Sequence, residues 1–359
     1  MKKAMQKISV IPSWCFRDEE GNQLDIHLLR LLEAVYRRGK LTLAASDVGI
    51  SYRHAWNLLR QSGEFFGVPL VEMQRGRGAR LSLLGEKLLW AEQRAIARLG
   101  PQLESLGSEL NLAIQQQQQG ALSVLRLHAS HGFAVELLPK YLHEIPLDLQ
   151  YCSPQESLPA LHRGSCDVAG FHLPRGKVGE RVRDTYQGLL KPRQHRVIGF
   201  IARTQGLMVA PGNPLGITGV ASLADKSVRF VNRQASSGTR SLLDCLLKEA
   251  AVSSKKIRGF EIEEFTHSAV AAYVAAGMAD CGFGVEAAAQ KFGLDFLPLA
   301  IEDYLLACHH RSLEEPRLCA FLKALQGEPF QEAVKRLPGY SPSQCGEVMR
   351  PEDVLTAKK

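Results

Sequence analysis

Apolar and polar positions along the chain follow two different patterns, and the change falls near residue 120. Before it, apolar residues recur every three or four positions, as on a helix with one buried face. "DIHLLRLLEAVYRRG" places Leu28, Leu31, Leu32 and Val35 on such a face. "TLAASDVG" predicts a short helix capped by Thr42 and ending at Gly49. "SYRHAWNLLRQSGEFFG" predicts a longer one, capped by Ser51, with Ala55, Trp56, Leu59 and Phe66 apolar. Two short strands around a Gly-rich tip follow in "LVEMQRGRGARLSLLG". In "LLGEKLLWAEQRAIARL" a long helix sets Leu84, Leu88, Ala91, Ala95 and Leu99 on one side, and Gly100-Pro101 should kink or break it. The polar tract "AIQQQQQG" closes this half.

Beyond Gly120, short apolar runs alternate with helical pieces. "ALSVLRLHAS", "LDLQYC", "CDVAGFHL", "GLMVAP", "SVRFVN", "CGFGV" and "LDFLPL" predict strands, with helices such as "AVELLPKYLHE" and "SLPALHRG" between them. Repeated strand–helix alternation predicts an α/β sensor or enzyme with mainly parallel sheets. The expected fold is therefore multi-domain, a helical first part with a short hairpin and a long helix, followed by an α/β part.

Composition changes this picture little. The 359 residues are 45% hydrophobic and 23% charged, enough for two or three cores, and the net charge of +7 is compatible with nucleic acid without establishing it. Eight scattered Cys with no C-x-x-C pair predict reduced thiols and no zinc ribbon. "MKKAMQKISVIPSW" has no apolar core of a secretory signal, and no run approaches a membrane span, so the expected location is cytoplasmic.

Charge is uneven, however. From 37 to 80 there are eight Lys/Arg against three Asp/Glu, a local excess of five. A short helix with Ala44 and Ala45, a Gly49 turn and a longer helix form a helix-turn-helix pattern. Ser51, Tyr52, Arg53, His54 and Asn57 then stand at the start of the second helix, where such residues reach phosphates and base edges. Arg75, Arg77 and Arg80 in the hairpin suit a wing that grips backbone or minor groove. A basic hairpin alone is most often a solvated loop; the helices before it favour operator DNA as partner.

"LTLAASDVGISYRHAWNLL" with "RGRGARLSLLGEKLL" resembles the winged helix of the ModE family of molybdate-responsive regulators, over roughly residues 20–100. The layout also resembles LysR-type regulators, which implies a homodimer through the long helix that can extend to a tetramer. ModE proteins usually end in small β-barrel oxyanion domains, and nothing after Gly120 reads as one. The second half instead resembles type II periplasmic-binding-protein folds, and parts of it the molybdate- and tungstate-binding branch. "VNRQASSGTRSLLD" is similar to an Arg-x-x-x-Ser-Gly-Thr loop of tungstate receptors, and "LHASHGF" stands at their hydroxyl-rich turn.

The residues support an anion cleft independently. Strand, small polar turn and helix in "VNRQASSGTR" aim N–H groups, hydroxyls and guanidinium groups at one place. The expected shell is Ser130, His131 and Gly132 from the first lobe and Arg233, Ser236, Ser237, Gly238, Thr239 and Arg240 from the second. His267 and Tyr304 are candidates at its edge. An oxyanion has no donors, so hydroxyls, N–H groups and cations must supply them. The plain alternative is that "SSGT" is a good helix cap. Metal binding by His128 and His131 lacks a third ligand in sequence, and the adjacent His309 and His310 should point apart on a strand.

These features predict a winged helix-turn-helix over 1–82, a dimerisation helix and linker over 83–120, and a two-lobed effector domain over 121–359. In that domain the first lobe takes 121–205 and 303–359, the second 206–302. The function expected is a non-enzymatic regulator sensing molybdate or tungstate. The alternative effector is an organic or phosphorylated ligand such as a molybdenum-cofactor pterin; a bilobal enzyme would need a catalytic acid or base that cannot be assigned.

Overall fold

The structure is a computed structural model, and it describes residues 8–74, 78–119, 123–142 and 145–355. Two compact units emerge, one of residues 11–97 and one of 1–10 with 98–359.

The smaller unit holds α1 (Leu28–Arg38), α2 (Leu41–Val48), α3 (Tyr52–Phe66), and the antiparallel hairpin of β1 (Val71–Gln74) and β2 (Gly78–Leu81). Each of the three helices ends on a left-handed glycine, Gly39, Gly49 and Gly67, which closes the last turn without a Cβ clash. The α1 face expected to be buried is buried, and it packs on Ala44, Ala45 and Leu58. Trp56 stands 45% exposed on α3, and Ala55, Leu58 and Ser62 form the inner face. The hairpin is fixed by Ala79 N–H donating to Gly39 carbonyl at 2.8 Å. A Cβ on Gly78 would lie 2.1 Å from that same oxygen, and its φ is +99°, so only glycine fits there.

Helix α4 (Leu83–Gln119) runs through Pro101 without a break. The expected dimer face needs revision, because Leu84 and Leu88 pack on the core of the smaller unit. The large apolar residues left exposed on α4, among the described residues, are Leu83, Ile96, Leu99, Leu106 and Leu110.

The larger unit begins with β3 (Leu125–Ala129), α5 (Phe133–Tyr141), β4 (Leu147–Tyr151), α6 (Pro154–His162), β5 (Val168–Pro174) and α7 (Lys177–Gln187). After these come the long strand β6 (His195–Val209), β7 (Phe230–Arg233), α8 (Gly238–Glu249), β8 (Glu263–Glu264), α9 (His267–Ala275), β9 (Cys281–Val285) and α10 (Glu286–Lys291). A second long strand, β10 (Asp295–His309), leads to α11 (Pro316–Gln326), α12 (Glu328–Lys335), β11 (Tyr340–Ser341), β12 (Val348–Met349) and α13 (Pro351–Leu355). The sheet order is β4-β3-β5-β10-β6-β9-β7-β8. Parallel strands occupy each end, as the alternating pattern predicts. The middle departs from it: β6 and β10 are fifteen residues each, run antiparallel, and join the two ends as a double strap. Neither shows a period over its full length, β6 being almost wholly buried and β10 only in its second half, so only "GLMVAP" and "LDFLPL" read as strands.

Candidate functional site

A cleft of about 580 Å³ opens between the two ends of the sheet. The starts of three helices face it. Ser153 caps α6, Ser237 caps α8, and His267 opens α9, and all three residues line the cleft. Helix N-termini present free N–H groups and positive potential, so their convergence favours an anion.

Strand β7 is wholly buried and delivers Arg233 at its end. The side chain is 5% exposed, with Nε donating to Gln234 Oε1 at 3.1 Å and Nη2 to Phe265 carbonyl at 3.1 Å. Its Nη1 is buried with no hydrogen-bond partner. Burial first, and Arg203 second, push its pKa down to about 9, because no carboxylate closes on it.

Arg203 is the residue the sequence reading missed. It lies directly across β6–β10 from Glu302, and its Nε donates to Glu302 Oε1 at 2.7 Å. Both side chains are at most 2% exposed. His172 on β5 stands beside them, its Nδ1 3.5 Å from Arg203 Nη2 and from Glu302 Oε1. Gly238 meets His172 closely: a Cβ there would be 2.9 Å from the imidazole Cδ2. His172 and His267 are both held well below the ordinary histidine range by burial and by the two arginines. A signal for these residues did exist. Arg203 and His172 interrupt the apolar runs "VIGFIARTQGLMV" and "VAGFHLP", where a charge or imidazole must be paired or functional.

The expected residues divide. Ser130, His131, Arg233, Ser236, Ser237, Gly238, Thr239 and His267 all line the cleft. Gly132 is beside it, its missing Cβ 3.4 Å from Arg203 Nη1. The hydroxyl of Ser237 is engaged, accepting from Arg240 N–H at 3.1 Å and donating to Gln234 carbonyl at 2.9 Å. It acts as a cap, which leaves the backbone N–H groups of Gly238 and Thr239 as the donors of the loop. Arg240 is a correction: it pairs with Glu263 at 3.1 Å and Asp244 at 3.2 Å and stacks on Phe260, away from the cleft. Tyr304 is another. It is 1% exposed, and its hydroxyl donates to Ser130 carbonyl at 2.9 Å, holding the turn from below.

His131 reaches Glu136 at 3.0 Å, and with Glu104 the three place ligand atoms within 4.8 Å of one another, a grouping able to hold a cation. Sequence spacing gave no hint of it, since Glu104 comes from α4. His309 and His310 do not splay as expected: the strand ends between them and their rings stack at 4.9 Å.

In the smaller unit, Ser51 Oγ accepts from His54 N–H at 3.1 Å and starts α3. Tyr52, Arg53, His54 and Asn57 are exposed on its outer side, as expected, and His54 Nε2 also contacts Asp25 at 3.1 Å. Arg80 is exposed on β2 opposite Glu72. Arg75 and Arg77 lie outside the described residues.

A helix-turn-helix unit followed by a two-lobed α/β unit with a buried cationic cleft defines a ligand-responsive transcriptional regulator. The family model for the PBP superfamily domain matches residues 135–326, over half the chain, and that for the bacterial regulatory helix-turn-helix protein, lysR family, matches 26–86. The chain belongs to the PBP superfamily and is a LysR-type regulator with a periplasmic-binding-protein-like effector domain. Among its relatives, the uncharacterized protein YvgK of Bacillus subtilis (strain 168) is 30% identical over 225 residues, 62% of this chain and 72% of that protein. The molybdenum-pterin-binding protein MopB of Rhodobacter capsulatus is 31% identical over 99 residues, 26% of this chain and 37% of that protein. The solved structure of the Corynebacterium glutamicum OxyR C206 mutant is 15% identical, covers 89% of this chain and 94% of its own, and has a TM-score of 0.44. No helix among the described residues is long and apolar enough to cross a membrane.

Proposed function

We propose that this regulator senses a small anion in the interlobe cleft and binds operator DNA through α3 and the β1–β2 wing. The observation that carries the anion reading is Arg233: buried, without a carboxylate partner, and with Nη1 unpaired in a cleft faced by helix starts. An unneutralised guanidinium is costly to bury unless something negative arrives. Molybdate and tungstate are the first effectors to test, since MopB carries a molybdenum-pterin name and the anion loop is similar to that of tungstate receptors. A second reading has its own support. A volume of 580 Å³ falls in the range of roughly 300–1,000 Å³ typical of organic-ligand pockets, so the anion can be one group of a larger body such as a pterin. The exposed apolar residues of α4 support a dimer through that helix.

Binding matters to DNA only if open and closed clefts differ in ligand affinity. The test is thermal stabilisation of the full chain by molybdate, tungstate, sulfate, phosphate and a pterin phosphate, followed by operator binding with and without the best of them. Stabilisation grows as RT ln(1 + [L]/Kd), so a tight effector stands out. No stabilisation by any anion would remove the reading.

A further inference from the structure

Two of the charged side chains that line the cleft are paired, Arg203 with Glu302 and Glu263 with Arg240. Glu156 and Arg98 stand exposed at the rim, where water screens them. Among the described residues that line the cleft, Arg233 is left as a buried guanidinium with no carboxylate partner.

We propose that the cleft is charge-matched to a singly charged anion, and that a doubly charged oxyanion enters it only with one proton taken up from solvent by His267. This rests on the anion reading above. With a monoanion, Arg233 is neutralised and nothing else need change. A dianion leaves one negative charge buried without a partner, which is unfavourable unless a neighbour ionises. His267 is the group placed to do so. It is 2% exposed, lines the cleft, and its Nδ1 is buried with no hydrogen-bond partner. His172 is less suited, since its Nδ1 already stands between Arg203 and Glu302.

Burial first, and then the groups around it, keep His267 neutral until the anion arrives. Arg233, Arg203, His131 and His172 all act on it, and all are cationic or become so on protonation. Strand β8 brings Glu263, held by Arg240, and Glu264, buried outside the cleft lining. Helix α10 brings Glu286 and Lys291, which do not line the cleft. From β9, Gly284 lies close behind Nδ1 and carries no charge. A second negative charge on the ligand is therefore what tips His267 to the imidazolium form. Its pKa is raised in the complex, so the added affinity is present at low pH and lost as pH rises.

Tungstate and perrhenate are tetrahedral oxyanions of similar size that differ by one charge. Each is titrated calorimetrically into the full chain in buffers of different ionisation enthalpy, from pH 6.5 to 8. The expected result is uptake of about one proton per tungstate and affinity falling about tenfold per pH unit, the slope that linkage of one proton requires. Perrhenate should bind with no uptake and no slope. His267→Gln should abolish the tungstate uptake and flatten its pH dependence while perrhenate still binds, which separates loss of titration from loss of fold. Tungstate binding without proton uptake, or uptake that survives in His267→Gln, overturns the charge matching alone. Binding of neither anion overturns the oxyanion reading beneath it.

Discussion

Two buried arginines share the cleft, and replacing each by Met should have opposite consequences. In Arg203→Met the carboxylate of Glu302, 0% exposed, loses its partner. Breaking a buried pair in this way costs about 3–5 kcal/mol. Arg233 has no such partner to abandon. Burial, and then Arg203, push its pKa down to about 9, which penalises the charged form by roughly a few kcal/mol, at about 1.36 kcal/mol per pH unit. Against that relief stand two lost bonds, to Gln234 Oε1 and Phe265 carbonyl. Hydrogen bonds from charged groups contribute roughly 1.5–3 kcal/mol each, so the two terms nearly cancel. Arg233→Met should therefore fold within about 2 kcal/mol of the wild type, by the same balance. Its anion affinity should fall about tenfold to a hundredfold or more, since about 1.4 kcal/mol is a factor of ten. The assay is urea unfolding of both variants without ligand, beside calorimetry with tungstate. Equal destabilisation by the two substitutions, with tungstate affinity kept in Arg233→Met, would refute the distinction between a structural and a functional arginine.

Other predictions follow from the same geometry. Tyr304→Phe should cost about 0.5–1.5 kcal/mol in unfolding, the worth of one neutral bond, and leave anion affinity within a factor of a few. Arg53→Ala and Asn57→Ala should change sequence preference in a binding-site selection, whereas Arg75→Ala with Arg77→Ala should weaken all sequences and lower the salt slope. Leu99→Glu with Leu106→Glu should shift the chain to monomer by sedimentation; an unchanged dimer would place the contact elsewhere.

The helix-turn-helix was legible because its signals are local: periodic apolar residues in α1, a small-residue helix, a Gly49 turn and a Ser51 cap. The strand, turn and helix around Ser237 were legible for the same reason, as they lie within one short stretch. What stayed hidden depends on contacts far apart in sequence. Arg203 and Glu302 are ninety-nine positions apart and meet only because β6 and β10 pair. Arg240 reads as a cleft residue from its place in the loop, yet helical geometry turns it toward Asp244 and Glu263. Trp56 reads in the sequence only as apolar, and on α3 it faces outward. Periodicity assigns a residue to a face; only the neighbours decide which face is inside.

Tungsten scatters anomalously at its L edges, so crystals of the full chain grown with tungstate can locate the anion directly. The account predicts one strong anomalous peak within hydrogen-bonding reach of Arg233 and the N–H groups of Gly238 and Thr239, and no such peak in Arg233→Met. A peak at another site, or none in the cleft at saturating tungstate, would contradict it.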